Sequence, residues 1–370
     1  MAEDKQTTFR PFRLEGLERL WIAFVAVMLA LFLGAGFILW AGKSPLIGYQ
    51  ALWQGSFGSI QNFGELLVSM TPVVFTGLSI AVAYRAGLFN IGAEGQYIVG
   101  MVGAAWAGAA EFFTGWPMWA HLPVALLVGF LAGAGWAAVP GLLKAYRGVH
   151  EVINTIMMNW IALYFSHYLV MGPLMANPYS PQTKDILPSA MLWRFLPPSR
   201  ANLGIVLALL VAVGVWYFIW KTTLGYSIRA VGFNPSAAEY AGIPVGRNLV
   251  LAMVVSGGLA GLGGAVQVLG VHLKFYDIFS FINDGFDGIA VALLGNNHPL
   301  GVVGAALLFG IFRRGAQLMQ SMADIPKEII GIVTAVVIIL VAGDQIIRRM
   351  TGWAIRRRTD RREKAVKAHV

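Results

Sequence analysis

Asn90, Glu94 and Gln96 lie within an otherwise apolar stretch, with Gly87, Gly92 and Gly95 scattered among them. A carboxylate within a membrane segment costs about 2.5 kcal/mol or more, so Glu94 must be paired, protonated or hydrated. Glycines let a helix break and present backbone groups to a passing solute. The chemistry on offer is recognition of a polar solute by hydrogen bonds from the amides and the carboxylate. The same residues would equally join helices by hydrogen bonds within a bundle. The pattern alone leaves both roles open.

A second polar cluster brackets the short apolar run 286–294, with Asn283, Asp284 and Asp287 at its start and Asn296, Asn297 and His298 after it. Phe89-Asn90-Ile91-Gly92 followed by Val102-Gly103-Ala104 faintly echoes Phe286-Asp287-Gly288-Ile289 followed by Val303-Gly304-Ala305. Transporters built from repeats bind solute where paired short or broken segments meet, which would bring Asn90 and Glu94 close to Asp284 or Asp287. Asn154, Asn159 and His167 punctuate another apolar run at helical spacing. Asn159 joins the candidate path, although Asn at such places commonly serves as interhelical glue.

The third stretch, 222–247, is polar. Asn234 suits a helix N-cap, Pro235 the first helical position and Gly242 the end of the helix. The spacing predicts a helix of about seven residues between two spans, ended by its own caps. Its small side chains Ala237, Ala238 and Ala241, with Glu239 among them, would let another protein approach closely. Such tight punctuation reads as a docking element rather than a connector.

Enzymatic motifs fail on inspection. Gly42-Lys43-Ser44 ends like a phosphate-binding loop, but Phe37 stands where that motif needs its first glycine. His150-Glu151-Val152-Ile153-Asn154 begins like a zinc-protease helix, but Asn replaces the second His ligand. There is no Gly-x-Ser-x-Gly elbow and no cysteine for a nucleophile, a thiolate metal site or a disulfide. The residues offer no catalytic centre, no metal site and no site of their own for ATP, so any energy input must come from elsewhere.

The elements that position these residues are membrane helices. Of 370 residues, 57% are hydrophobic and 12% charged, and the mean hydropathy is +0.67. Soluble domains carry about 25% charged residues, so a water-facing surface cannot be assembled here. The 44 glycines fit helices packed backbone to backbone. Apolar runs fall at 20–41, 63–83, 88–110, 122–143, 152–171, 203–220, 249–270, 286–294, 301–319 and 329–342. The expected fold is all-α and polytopic, with about ten transmembrane or re-entrant helices and two weakly related halves. The first run is too long for a signal peptide and lacks a convincing cleavage site.

Pro72 and Pro140 interrupt their runs and should kink them. Arg313 and Arg314 interrupt the ninth run, where a charge faces the protein interior or lies near an end. With an even number of crossings, most of the 27 Lys and Arg fall on the side of the termini, which places both in the cytoplasm. The expected organisation is a cytoplasmic segment 1–19, a permease domain 20–347 and a basic cytoplasmic tail 348–370. The tail follows the last span directly and reads as a membrane-surface anchor rather than a nucleic-acid-binding run.

Gly87-Leu88-Phe89-Asn90-Ile91-Gly92-Ala93-Glu94-Gly95-Gln96 resembles the membrane subunits of bacterial ABC importers of the branched-chain amino-acid/ribose permease superfamily. The stretch from Arg229 to Ile243 is similar to that family's coupling-helix loop. Glu151-Val152-Ile153-Asn154-Thr155-Ile156-Met157-Met158-Asn159 and the stretch 288–301 resemble the nucleoside-importer permease branch. The resemblance covers residues 20–347 and departs at the basic tail.

It implies a multi-pass protein of the bacterial inner membrane, paired with a second homologous permease, two ABC ATPase subunits and an extracytoplasmic substrate-binding lipoprotein or protein. ATP-Mg would be bound by the partner ATPase, which would dock on residues 234–242. The translocated solute would be a nucleoside or a related sugar; Asn, Gln and acidic side chains would suit its hydroxyls and ring nitrogens, and Phe89 or Tyr97 could stack on a base. The other reading is a self-sufficient ion-coupled transporter with Glu94 or Asp287 as its coupling acid, for which a docking loop has no purpose.

Overall fold

The computed structural model describes residues 12–326, 328–329, 331–332 and 335–336. The expected basic tail and most of the expected last span lie outside the described residues, as does the chain before Phe12. The described chain is helical: α1 (Phe12–Trp40), α2 (Pro45–Phe57), α3 (Ile60–Arg85), α4 (Ala93–Ala109), α5 (Met118–Arg147), α6 (Glu151–Met171), α7 (Gly204–Lys221), α8 (Thr223–Phe233), α9 (Pro235–Tyr240), α10 (Val245–Gln267), α11 (Asp284–Leu294) and α12 (Pro299–Ala323). Among the described residues there are no strands, only isolated bridges.

Two compact units are distinguished: one built from residues up to Ala51 and from Met319 onward, the other from Leu52–Leu318. Within the first, Lys43 donates to Asp324 at 2.6 Å. The second holds the candidate site.

By length and composition, α3, α5, α7, α12 and α10 with its π-helical extension to His272 are each able to cross a membrane. In α3, 89% of the apolar window is buried, against 28% in α5, so α3 is a central helix of the second unit and α5 a peripheral one. Helix α10 crosses α4 and α5 backbone to backbone. A Cβ on Gly100 would lie 2.3 Å from the Gly261 Cα, and one on Gly133 would lie 2.3 Å from the Gly257 carbonyl oxygen. Larger residues would push these three helices apart, which accounts for part of the high glycine content. Pro72 and Pro140 lie inside α3 and α5, as their runs required.

Two expectations change. The run 88–110 is not one helix: residues 88–92 are non-helical and α4 begins only at Ala93. Helices α2 and α8 had no counterpart among the expected spans. Both are short, with 13 and 11 residues, and α8 continues the chain from α7 toward α9. The run 286–294 is the short helix that its length implied, starting at Asp284.

Candidate functional site

The site is made where two helices begin inside the protein. Helix α3 ends at Arg85, the chain turns at Gly87 (φ +76°), and it runs back without helical structure before α4 starts. Asn90, only 1% exposed, holds this break. Its Oδ1 accepts from the Gly92 N–H at 3.0 Å, while its Nδ2 donates to Gln96 Oε1 and to Ser256 Oγ, each at 2.8 Å. Asn159 on α6 clamps the same stretch, donating to the Ile91 carbonyl (2.9 Å) and accepting from the Gly95 N–H (2.8 Å). Asn90 and Asn159 thus satisfy backbone that a broken helix leaves unpaired inside an apolar bundle, and Gln96 holds the Asn90 side chain.

Glu94 reaches across to α11. Its carboxylate accepts from the backbone N–H groups of Asn283 (2.8 Å) and Gly285 (2.6 Å). It therefore caps α11 from another helix, supplying the negative charge that a helix N-terminus favours. Only glycine permits this approach, since a Cβ on residue 285 would lie 2.3 Å from the Glu94 nitrogen.

Asp284, 3% exposed, accepts from the Tyr97 hydroxyl at 2.9 Å and from Arg313 of α12, and its backbone carbonyl accepts from Thr76 Oγ1 at 2.8 Å. Arg313 also pairs with Asp287 at 2.9 Å. One guanidinium thus neutralises two carboxylates across α11 and α12.

The other end of α11 is held from the same segment that carries Glu94. The guanidinium of Arg85 donates to the Asn297 carbonyl from Nε (3.2 Å) and Nη2 (2.9 Å), and lies 5.0 Å above the Trp220 ring. Asn296 and Asn297 sit at positive φ there, a conformation Asn tolerates. The stretch 85–94 thus grips α11 with an acid at its N-terminus and a base beyond its C-terminus, complementing the helix dipole at both ends.

The stretch 222–247 meets this clasp. A Cβ on Gly232, near the end of α8, would lie 2.1 Å from the Arg85 carbonyl oxygen. Helix α9 follows with the expected local code: Asn234 Oδ1 accepts from the Ala237 N–H at 3.0 Å, Pro235 opens the helix and Gly242 (φ +80°) ends it. Pro235, Ala237, Glu239, Ala241 and Gly242 are exposed. Ala238 is not: it is 4% exposed and packs inward, so the small face expected at Ala237, Ala238 and Ala241 is divided. Instead, Phe233 (85%) and Tyr240 (96%) offer large apolar surface.

Of the polar residues expected to meet, Glu94 bonds the amides of Asn283 and Gly285 on either side of Asp284, and Asp287 joins Asp284 through Arg313. Asn90 does not join them and turns to Ser256 and Gln96. Tyr97 is fully buried and bound to Asp284, so it has no free face for stacking, while Phe89 is half-buried. Arg313 had a signal in the sequence, an arginine in an apolar run that follows two unpaired acids. Arg314 lies one residue on and turns elsewhere, donating to Gln317 and Asn62. Ser256 and Thr76 had none, because a lone hydroxyl in an apolar helix usually bonds its own backbone.

Residues 62–342 match the family described as branched-chain amino acid transport system / permease component. The guanosine ABC transporter permease protein NupP of Bacillus subtilis is 44% identical over 91% of this chain and 97% of that protein. The nucleoside ABC transporter permease protein NupB of Lactococcus lactis is 39% identical over 89% of this chain and 92% of that protein. A further Bacillus subtilis protein, the guanosine ABC transporter permease protein NupQ, is 28% identical over 71% of this chain and 83% of that protein. A family match across most of the chain, with an intramembrane helix break and several helices able to span a bilayer, leads to one assignment: the chain is a multi-pass membrane transport component of the branched-chain amino acid transport system permease family.

Proposed function

We propose that this chain is one permease subunit of an ATP-driven nucleoside importer in a bacterial cytoplasmic membrane. The solute class is taken from its relatives, two of which are named for guanosine and one for nucleosides. The observation that carries the mechanism is the clasp of residues 85–94 on α11, with Gly232 of the cytoplasmic stretch set against Arg85. Movement of α8 and α9 by a docked ATPase would reach Arg85 through backbone contact at Gly232, and α11 through the Arg85 guanidinium. Glu94, Asp284 and Asp287, with Phe89, Asn90, Gln96 and Asn159 around the break, would border the path. Asn234, Pro235, Ala237, Glu239, Ala241 and Gly242 would form the docking helix, with Ala238 anchoring it from beneath.

In this reading ATP-Mg is bound by two ATPase subunits, and an extracytoplasmic lipoprotein delivers the solute. Bacillus subtilis has two permease proteins named for guanosine, and this chain is much more similar to one than to the other. That asymmetry supports pairing with a second, different permease rather than with a copy of itself. Residues 1–19 and 348–370 would lie in the cytoplasm, the tail against the anionic membrane surface. Glu94 is a poor candidate for an ion-coupling acid, because both its oxygens are engaged by backbone amides.

Affinity purification of the tagged chain from its own membrane, followed by uptake of labelled guanosine in proteoliposomes, tests the proposal. An ATPase and a second permease should co-purify, and uptake should require ATP. A chain that purifies alone and carries solute without ATP would overturn it.

A further inference from the structure

Beside the Glu94–Asp284–Arg313 network lies a run of aromatic rings that the network does not use. Trp160 of α6 meets Phe281 edge-on with centroids 4.8 Å apart, and Phe281 meets Phe286 of α11 at 5.6 Å. Trp160 is 45% exposed, and Phe281 and Phe286 are half-buried. Polar groups share this stretch. Asn283 is exposed, and Asp287 and Arg313 leave 33% and 31% of their side chains open.

Open charges on helices packed within the bundle do not face lipid, where an uncovered charge is strongly unfavourable. This face would therefore border water rather than acyl chains. A wholly apolar face would suit acyl chains, and a wholly charged one would suit ions. Rings next to an amide and a carboxylate suit a solute with one flat aromatic part and one hydroxylated part.

We propose that Trp160 and Phe281 form a stacking platform for the base of a passing nucleoside, with Asn283 and Asp287 meeting its ribose hydroxyls. The proposal rests on the nucleoside reading above and adds to it the residues that discriminate the base. It replaces Tyr97, whose ring is buried, as the aromatic group in contact with solute.

The test uses the complete importer in proteoliposomes, with Trp160→Leu, Phe281→Leu and Trp160→Phe. Each Leu variant should lower kcat/KM for guanosine uptake about tenfold, equal to about 1.4 kcal/mol of lost stacking. Trp160→Phe should recover most of that loss. Wild type should prefer purine over pyrimidine nucleosides because of their larger stacking area, and that preference should narrow in the Leu variants. Should Phe281→Leu fail to assemble, the more exposed Trp160 carries the test by itself. Wild-type uptake with unchanged Leu variants would overturn the platform alone. A wild-type complex that carries no nucleoside at all would overturn the nucleoside reading and the platform with it.

Discussion

The break before α4 and the stretch from α8 to α10 are written in the same residue types, Gly, Asn, Pro and acids, and use them in opposite ways. Asn234 caps its own helix three residues on, whereas Asn90 reaches Ser256 on another helix. Gly242 supplies a left-handed turn in open surroundings, whereas Gly285 is there because the Glu94 backbone occupies the space of a side chain. Glu239 is exposed, whereas Glu94 has both oxygens bound to backbone N–H groups of α11. The stretch from α8 to α10 is a local code with an exposed outer surface. The intramembrane stretch is a set of long-range bonds with little freedom. A transporter driven from outside the membrane needs both: a surface that a partner can grasp, and an interior stiff enough to carry the displacement.

That contrast can be broken most directly at Arg313. Arg313→Leu leaves Asp284 and Asp287 without their cation, and removing one partner of a buried pair costs 3–5 kcal/mol. With a third of the Arg313 side chain open, about 3 kcal/mol is expected, read as a large fall in the melting temperature of the purified complex. Arg313→Lys should recover only part of it, because a single ammonium cannot reproduce the fork. Wild-type melting in Arg313→Leu would show that the network is dispensable for the fold.

Glu94→Gln comes next. It keeps volume and one acceptor oxygen but loses the charge at the α11 N-terminus, for an expected loss of about 1–2 kcal/mol in the same melting assay. Asn234→Ala removes only a local cap and should cost about 1 kcal/mol of local helix stability, seen as faster amide exchange at residues 235–240 with the rest of the chain unchanged. Ala237→Arg should leave stability untouched, since the site is exposed, yet abolish ATP-driven uptake by blocking the ATPase. Normal uptake in that variant would remove α9 as the docking element, and a large melting shift would erase the contrast itself.

Much of the fold was legible because membrane burial acts on composition. Long apolar runs near 63–83, 122–143, 203–220 and 249–270 could only be helices, since no other open structure satisfies its backbone in lipid. The short run before Leu294 was legible by length alone. The break at 88–92 was legible only as an allowance, because Gly87 and Gly92 let a helix break without requiring it. Only the amides of Asn90 and Asn159, meeting the chain from opposite sides, make an unwound segment affordable there.

The candidate site divides in the same way. That Glu94 and the acids of α11 needed partners followed from their cost in an apolar setting. Which partners they took did not, because Arg313 lies 29 residues from Asp284 and the α11 amides lie about 190 residues from Glu94. The inward turn of Ala238 was equally hidden, since spacing fixes the phase of a helix but not the side its neighbours occupy.

By itself, then, the sequence determined a polytopic all-α membrane chain, the caps of α9, and which polar groups had to be satisfied. Each of those depends on residues within one helical turn or on the mean polarity of a run. The tertiary structure alone decided that residues 85–94 clasp both ends of α11 and that Gly232 bears on Arg85. Those contacts follow from how α3, α4, α10 and α11 cross. The crossings are set by glycine-to-backbone fits such as Gly100 on Gly261, between residues too far apart in the chain for any local pattern to record.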